Sequence, residues 1–251
     1  MLSYSKVSTH ANCPKQYWHR YINDTAVTTQ PTANDARIIG STMHKGIEEG
    51  LDAALEWYEN QFPPFVTNNM INEEIKFCHW IPALHEEYRD GVHEQRILIP
   101  NEHVESTDSF EDGEPIEFVG YIDYLKDGVL IDFKYSNNIK GYLDSEQIHL
   151  YKYFGEKMGL KIDKLKYVFI PKVAIRKKKT ETLDEFRVRL LDELESKSVT
   201  VHEVEYDENK VEEFFEKAEV MKNDTEFKCN KSGLCYWCDY KSYCEALDYD
   251  Y

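Results

Sequence analysis

The stretch Phe118 to Tyr135 constrains this chain most, because it reads as two extended segments joined by Lys126-Asp127-Gly128. Asp-Gly between apolar runs is a strong hairpin signal, since the favoured two-residue turn needs positive φ at both central positions. The first segment carries an acid in Gly120-Tyr121-Ile122-Asp123. The second carries an acid and an ammonium in Ile131-Asp132-Phe133-Lys134. Residues i and i+2 of a strand share a face, so Asp132 and Lys134 point the same way, and Asp123 can face them from the neighbouring strand. Two carboxylates and a lysine at one spot are what Mg²⁺-dependent phosphodiester hydrolysis requires. The acids supply oxygen ligands for a hard cation, and the lysine sets a positive charge beside the attacking water.

At 251 residues the chain is expected to form a single domain, with 41% apolar and 14% aromatic residues to fill its core. Within it, 1–36 reads as an N-terminal helical segment, 37–180 as the core, and 181–251 as a helical extension ending in a cysteine cluster. The sequence has no long uncharged apolar run, so no membrane partner is expected. The first residues lack a signal-peptide pattern, and a cytoplasmic, intracellular location is expected. The formal charge of −17 argues against a polyanionic partner, but it is unevenly spread. Lys161 to Lys179 holds eight bases and one acid, whereas Glu181 to Lys228 holds sixteen acids and seven bases. Lys172 and the run Arg176-Lys177-Lys178-Lys179 therefore form a candidate nucleic-acid-binding patch, with a solvated loop as the plainer reading.

Apolar periodicity places a helix over Ser5 to Ile22, then a polar break through Thr25 to Asp35 and one long helix from Arg37 to Trp57. A further helix over Asn72 to Arg89 is expected to bend or end at Pro82. Gln95 to Pro100 reads as a strand ahead of the hairpin. Asp144 to Met158 reads as a helix capped by Asp144. Leu165 to Ile170 and Val199 to Glu205 read as strands, and Leu183 to Ser196 and Glu208 to Met221 as helices. The order helix, three strands, helix, strand implies an α/β core with helical and C-terminal additions.

Six cysteines in an intracellular chain point to metal or redox chemistry rather than disulfides. Cys235-x2-Cys238-x5-Cys244 has ligand spacing, with Cys229 shortly before it. On local spacing a Zn²⁺ site of these four is the default, leaving Cys13 merely buried. Cys78 is expected in the core, as free cysteines usually are.

These pieces, in this order, resemble the PD-(D/E)XK nuclease superfamily and specifically its RecB-like exonuclease branch. Gly40-Ser41-Thr42-Met43-His44 resembles the family's histidine-bearing helix motif, and Gly120-Tyr121-Ile122-Asp123 its first acidic motif. Asp132-Phe133-Lys134 resembles D-x-K, and Gln147-Ile148-His149-Leu150-Tyr151 resembles Q-x-x-x-Y. The resemblance implies a restriction-endonuclease-like core, a mixed sheet flanked by helices. It implies that Asp123, Asp132, the carbonyl of Phe133 and His44 hold Mg²⁺ or Mn²⁺, with Glu94 further out. Lys134 would orient the attacking water, and Gln147 and Tyr151 would position the lysine or the DNA backbone.

Cys13, in Cys13-Pro14-Lys15-Gln16-Tyr17, extends the likeness to AddB-type and CRISPR-associated RecB-like nucleases. It implies a 4Fe–4S cluster held by Cys13, Cys235, Cys238 and Cys244. Such a clip would close a loop of more than two hundred residues, and its loss should release both termini together. Zn²⁺ remains the alternative, and Cys229 has no role in the iron–sulfur set. The expected function is a Mg²⁺- or Mn²⁺-dependent DNA exonuclease acting on single strands or frayed ends, in recombination or repair. The N-terminal aromatics Tyr4, Tyr17, Trp18 and Tyr21 are candidates to stack on bases. No Walker-type loop is present, so a separate helicase or recombination protein is the expected partner. A structure-specific endonuclease and a non-catalytic DNA-binding or scaffolding subunit with structural zinc are the competing readings.

Overall fold

The computed structural model describes residues 1–27, 30–99 and 116–244. A five-stranded sheet in the order β1-β2-β3-β4-β5 runs through its centre. The strands are β1 (Val92–Ile99), β2 (Phe118–Lys126), β3 (Val129–Tyr135), β4 (Lys164–Ile170) and β5 (Thr200–Val204). All neighbours are antiparallel except β3 and β4, which pair in parallel from Val129↔Lys164 to Tyr135↔Ile170. A parallel pair needs a crossover, supplied here by α6 (Ile139–Leu143) and α7 (Gln147–Lys157). The mixed sheet with helices on both faces is the expected α/β architecture. The turn between β2 and β3 has φ of 48° at Asp127 and 76° at Gly128, which is why Asp-Gly sits there.

Each sheet face carries its own core. Tyr124, Ile131, Phe133, Tyr135, Val168 and Ile170 pack under α3 (Ala36–Glu49), α4 (Leu51–Glu59), α5 (Asn68–Tyr88) and α8 (Leu183–Glu195). Ile97, Phe118, Ile122, Leu130, Leu165, Tyr167 and Phe169 pack on the other face with α1 (Tyr4–Asn12), α7 and α9 (Glu208–Asn223). Leu130 and Phe133 lie in opposite cores, so Asp132 and Lys134 share the face of Leu130, under α7.

Several elements differ from the sequence expectation. The helix expected over Ser5 to Ile22 stops at Asn12, and Cys13 is extended at φ −159° before α2 (Pro14–Tyr17) and a π-turn, Trp18–Ile22. Cys13 thereby interrupts the helix, and Pro14 opens the next turn, where its missing N–H costs nothing. The long helix expected from Arg37 breaks into α3 and α4 at Gly50, whose φ of 95° ends one helix and starts the next.

Conversely, α5 runs through Pro82 without ending. Pro82 and Cys78 lie on the same exposed stripe, so water can satisfy the carbonyl that Pro82 leaves without a donor. The same stripe puts Cys78 at the surface, not in the core. Asp144 does not cap α7; it closes α6, and the chain enters α7 through Glu146. Pro100, the expected end of β1, lies outside the described residues, as do Thr28 and Thr29 of the expected polar break.

Phe118 anchors the second core. It is fully buried, stacked on Phe154 of α7 at 4.1 Å and edge-on to Phe214 of α9 at 6.1 Å. Replacing it with alanine removes the ring against which both helices rest. Phe118→Ala should destabilise the fold by about 3–5 kcal/mol, read from the midpoint of urea unfolding.

Candidate functional site: an acid–lysine–histidine group at a split in the sheet

The β2–β3 ladder pairs Lys126 with Val129, Leu125 with Leu130 and Tyr124 with Ile131. Next along, the Phe133 N–H donates not to a backbone carbonyl but to the Asp123 carboxylate, Oδ2, at 2.8 Å. Around this point β2 changes face: Ile122 lies in the second core and Tyr124 in the first. On the other side of Asp123, β1 pairs Tyr124 with His93 and Ile122 with Gln95, so Glu94 lies opposite. Glu94 has a left-handed backbone, φ 48°, which is uncommon for a residue with a side chain.

His44 reaches the same place from α3, with Nδ1 3.5 Å from Asp123 Oδ2. One ligand atom from each of His44, Glu94 and Asp123 lies within 4.8 Å of the others, a spacing that can hold a metal ion. A concavity lined by His44, Glu94, Ser41, Lys45, Glu48 and Trp57 opens beside the group. Asp132, expected among the ligands, stands adjacent. It is 1% exposed, its Oδ2 lies 2.6 Å from Lys134 Nζ, and its Oδ1 has no hydrogen-bond partner among the described residues.

Lys134 is held on its other side as well. Its Nζ donates to Gln147 Oε1 at 2.9 Å, and Gln147 Nε2 donates to the Tyr151 hydroxyl at 2.9 Å. Gln147 and Tyr151 are one turn apart on α7, which is how one helix face presents both. An ammonium has three donors, so two partners leave one for an incoming oxygen.

The charges are unequal neighbours. Burial opposes ionisation of Asp123, but His44, Lys134 and the Phe133 N–H hold its carboxyl below the usual range. Burial dominates at Asp132 and, with the charge of Asp123, pushes it up to about 6 against the pull of Lys134. Glu94 is also raised, by burial and by Asp123. Burial works against a charged Lys134, yet Asp132 and Asp123 raise it well above an ordinary lysine. His44 is raised in the same way, Asp123 outweighing burial. Three carboxylates against one lysine and one imidazole leave a surplus of negative charge, and Asp132 keeps an orphaned buried oxygen. Both features fit a bound divalent cation, with hard oxygen donors and one imidazole.

Sequence reasoning gave Glu94 only an outer position. Its membership follows from strand pairing and its left-handed backbone, neither of which has a local sequence signature. Ser41, Lys45, Glu48 and Trp57 were not singled out either. Ser41, Lys45 and Glu48 follow from His44 by helical spacing.

A second group lies at the chain ends. Cys13, Cys229, Cys235, Cys238 and Cys244 line one concavity, so all four expected cluster ligands and the extra thiol come together. The Asn230 N–H donates to Cys13 Sγ at 3.5 Å, and the Cys229 and Cys244 sulfurs lie 3.2 Å apart. Burial pushes the Cys229 thiol up to about 12, with Cys244 adding to it, and burial raises Cys238 too. Five soft thiol donors on one concavity, which Lys15, Lys231 and Lys241 also line, fit a thiophilic metal or cluster.

The basic patch is separate. Arg176 to Lys179 are exposed, and Lys172 Nζ sits 5.3 Å from the Tyr135 ring centroid. Among the described residues none of these five forms a hydrogen bond or ion pair with the acid–lysine group.

The search of curated proteins finds no match. Among solved structures, the crystal structure of SSO0001 matches with 13% sequence identity and a TM-score of 0.41, covering 96% of this chain and 93% of that chain. No described helix is long and apolar enough to cross a membrane. The model of the family described as the PD-(D/E)XK nuclease superfamily matches residues 1–245. The chain belongs to that superfamily, whose members are metal-dependent nucleases.

Proposed function

We propose that this chain is a RecB-like, Mg²⁺- or Mn²⁺-dependent DNA exonuclease, acting on single-stranded DNA or frayed ends, with a structural 4Fe–4S cluster. The observation that carries the reading is the relay Asp132–Lys134–Gln147–Tyr151 beside the His44, Glu94 and Asp123 group. His44, Glu94 and Asp123 would hold the cation, with Asp132 Oδ1 and the Phe133 carbonyl as further donors. A divalent cation there supplies Lewis acidity at the phosphoryl group and lowers the pKa of water. The protein supplies the rest. Asp132 and Gln147 fix the Lys134 ammonium, and its remaining donor offsets charge gathering on a phosphoryl oxygen or orients the attacking water. Tyr151 holds the Gln147 amide in the orientation that accepts from Lys134.

Cys13, Cys235, Cys238 and Cys244 are the cluster ligands in this reading, and Cys229 is a neighbour. The single-domain organisation and dependence on a separate helicase or recombination protein belong to the same proposal. Lys172 and Arg176 to Lys179 would meet the substrate backbone away from the cleavage point.

Two tests follow from this reading. Asp132→Ala and Lys134→Ala should each lower cleavage of end-labelled single-stranded DNA by at least about 10²–10³-fold, with an unchanged circular dichroism spectrum. Cleavage surviving both changes would refute the site, and opening of circular single strands would replace the exonuclease by an endonuclease. Protein purified without oxygen should contain iron and acid-labile sulfide in equal amounts and absorb visible light. Cys13→Ala and Cys235→Ala should lose both signals, and Cys229→Ala should keep them. Zinc in place of iron, retained in Cys13→Ala, would select the four C-terminal cysteines instead.

A further inference from the structure

The C-terminal cysteine lobe presents large aromatic rings to solvent. Trp237 is 86% exposed and Tyr236 69%, both on the turn Gly233–Trp237. The two rings are neighbours in sequence and contribute nothing to either core, so their faces are available to a ligand. The charges around them narrow the class of partner. Lys241 Nζ lies 5.3 Å from the Tyr236 ring centroid. The N-terminal segment docks on the same lobe through the Lys15 N–H, 3.3 Å from the Lys228 carbonyl, and places Lys15 Nζ 4.4 Å from the Trp18 ring.

Residues 1–22 hold Lys6, Lys15 and Arg20 and no acid. From Cys229 to Cys244 the only acid is Asp239, and its carboxylate is taken by Arg37 at 2.5 and 3.0 Å. In a chain of net charge −17 this is a locally basic surface. Rings interleaved with cations match the combined needs of a single-stranded nucleic acid, stacking for its bases and charge for its backbone.

The lobe is also tied to the site. Arg37 lies in the first turn of α3, and His44 follows seven residues later, about 10 Å along the helix axis. Trp237 is two residues from Asp239, at most about 7 Å of chain. A single strand advances about 3.4 Å per stacked nucleotide, so a short oligonucleotide can span both places.

We propose that Trp237 and Tyr236 form a stacking platform for the bases of a single strand whose backbone continues to the His44, Glu94 and Asp123 group. This rests on the nuclease reading for the identity of that second group, but not for the platform itself.

The test measures binding in the cleavage-deficient Lys134→Ala background, by fluorescence anisotropy of labelled oligo(dT) of about 12 nucleotides, roughly 40 Å when stacked. Adding Trp237→Ala or Tyr236→Ala should weaken binding by about ten-fold or more, while Trp237→Phe should restore most of it. In the otherwise native chain, Trp237→Ala should raise KM for the long strand with little change in kcat. Equal affinity of all variants for the long oligonucleotide would overturn the platform and leave the nuclease reading intact. Loss of affinity in the Trp237 and Tyr236 variants, together with no cleavage by the native chain in Mg²⁺ or Mn²⁺, would keep the platform and remove the nuclease reading.

Discussion

Asp123 does two incompatible-looking jobs with one carboxylate. It accepts the Phe133 amide hydrogen at 2.8 Å, which holds β2 and β3 together where their ladder ends, and it meets His44 across the gap. A buried backbone N–H left without an acceptor costs about 1–3 kcal/mol, so the sheet itself demands an acceptor at this position. The same hydrogen bond favours the ionised acid. A structural requirement and an electrostatic one therefore coincide, and the split in the sheet lies where His44, Glu94 and Asp123 gather.

What surrounds Asp123 is unfavourable in isolation. An ionised carboxylate taken out of water costs several kcal/mol even after relaxation, and Asp132 at 1% exposure has one ammonium to offset it. Glu94 holds a left-handed backbone at φ 48°, a strain of about 1–3 kcal/mol for such a residue. The two apolar cores on either face of the sheet stabilise the fold enough to tolerate this. Burial first, and then the charge of Asp123, pushes Asp132 up to about 6 and raises Glu94 as well. Asp123 goes the other way. Neighbouring carboxylates whose environments drive their pKa values apart are the mark of a site built for ionic chemistry.

Much of this was legible in the sequence, for identifiable reasons. The hairpin was readable because Asp127-Gly128 carries a local turn code, and Asp132 with Lys134 because strand periodicity is rigid. Gln147 with Tyr151 was readable because helix spacing puts them on one face. Glu94 was not, since its role arises from register with Asp123 and a φ that no local pattern specifies. Gly50 was missed because apolar spacing continues across the α3–α4 break, and only its φ of 95° reveals that the axis changes. Pro82, expected to bend or end α5, does not end it, because the carbonyl it leaves without a donor lies on the wet side. The exposed aromatics of the C-terminal lobe escaped notice because composition counts rings without telling which are covered.

The contacts of the two chain ends bear on what the likeness to cluster-bearing nucleases implies for them. A cluster joining Cys13 to the C-terminal cysteines was expected to hold both termini, so that they would detach together. The N-terminal helix, however, is anchored by other means. The Leu2 N–H donates to the Glu117 carbonyl at 2.7 Å, the Val119 N–H donates to Leu2 at 2.9 Å, and Val7 is 1% exposed in the second core. His10 meets Asp224 at 2.8 Å just beyond α9. The residues after α9 have much less of their own: Tyr240, stacked on His19 at 5.2 Å, is their one fully covered hydrophobic side chain among the described residues, and Asp239 is tied to Arg37. Most of the closure entropy is therefore already met by the α1 contacts with the sheet and α9, and a metal held by the cysteines, as proposed, would have only the C-terminal lobe left to order. Its loss would loosen that lobe, and with it the surface around Trp237, while α1 and the split sheet stayed in place.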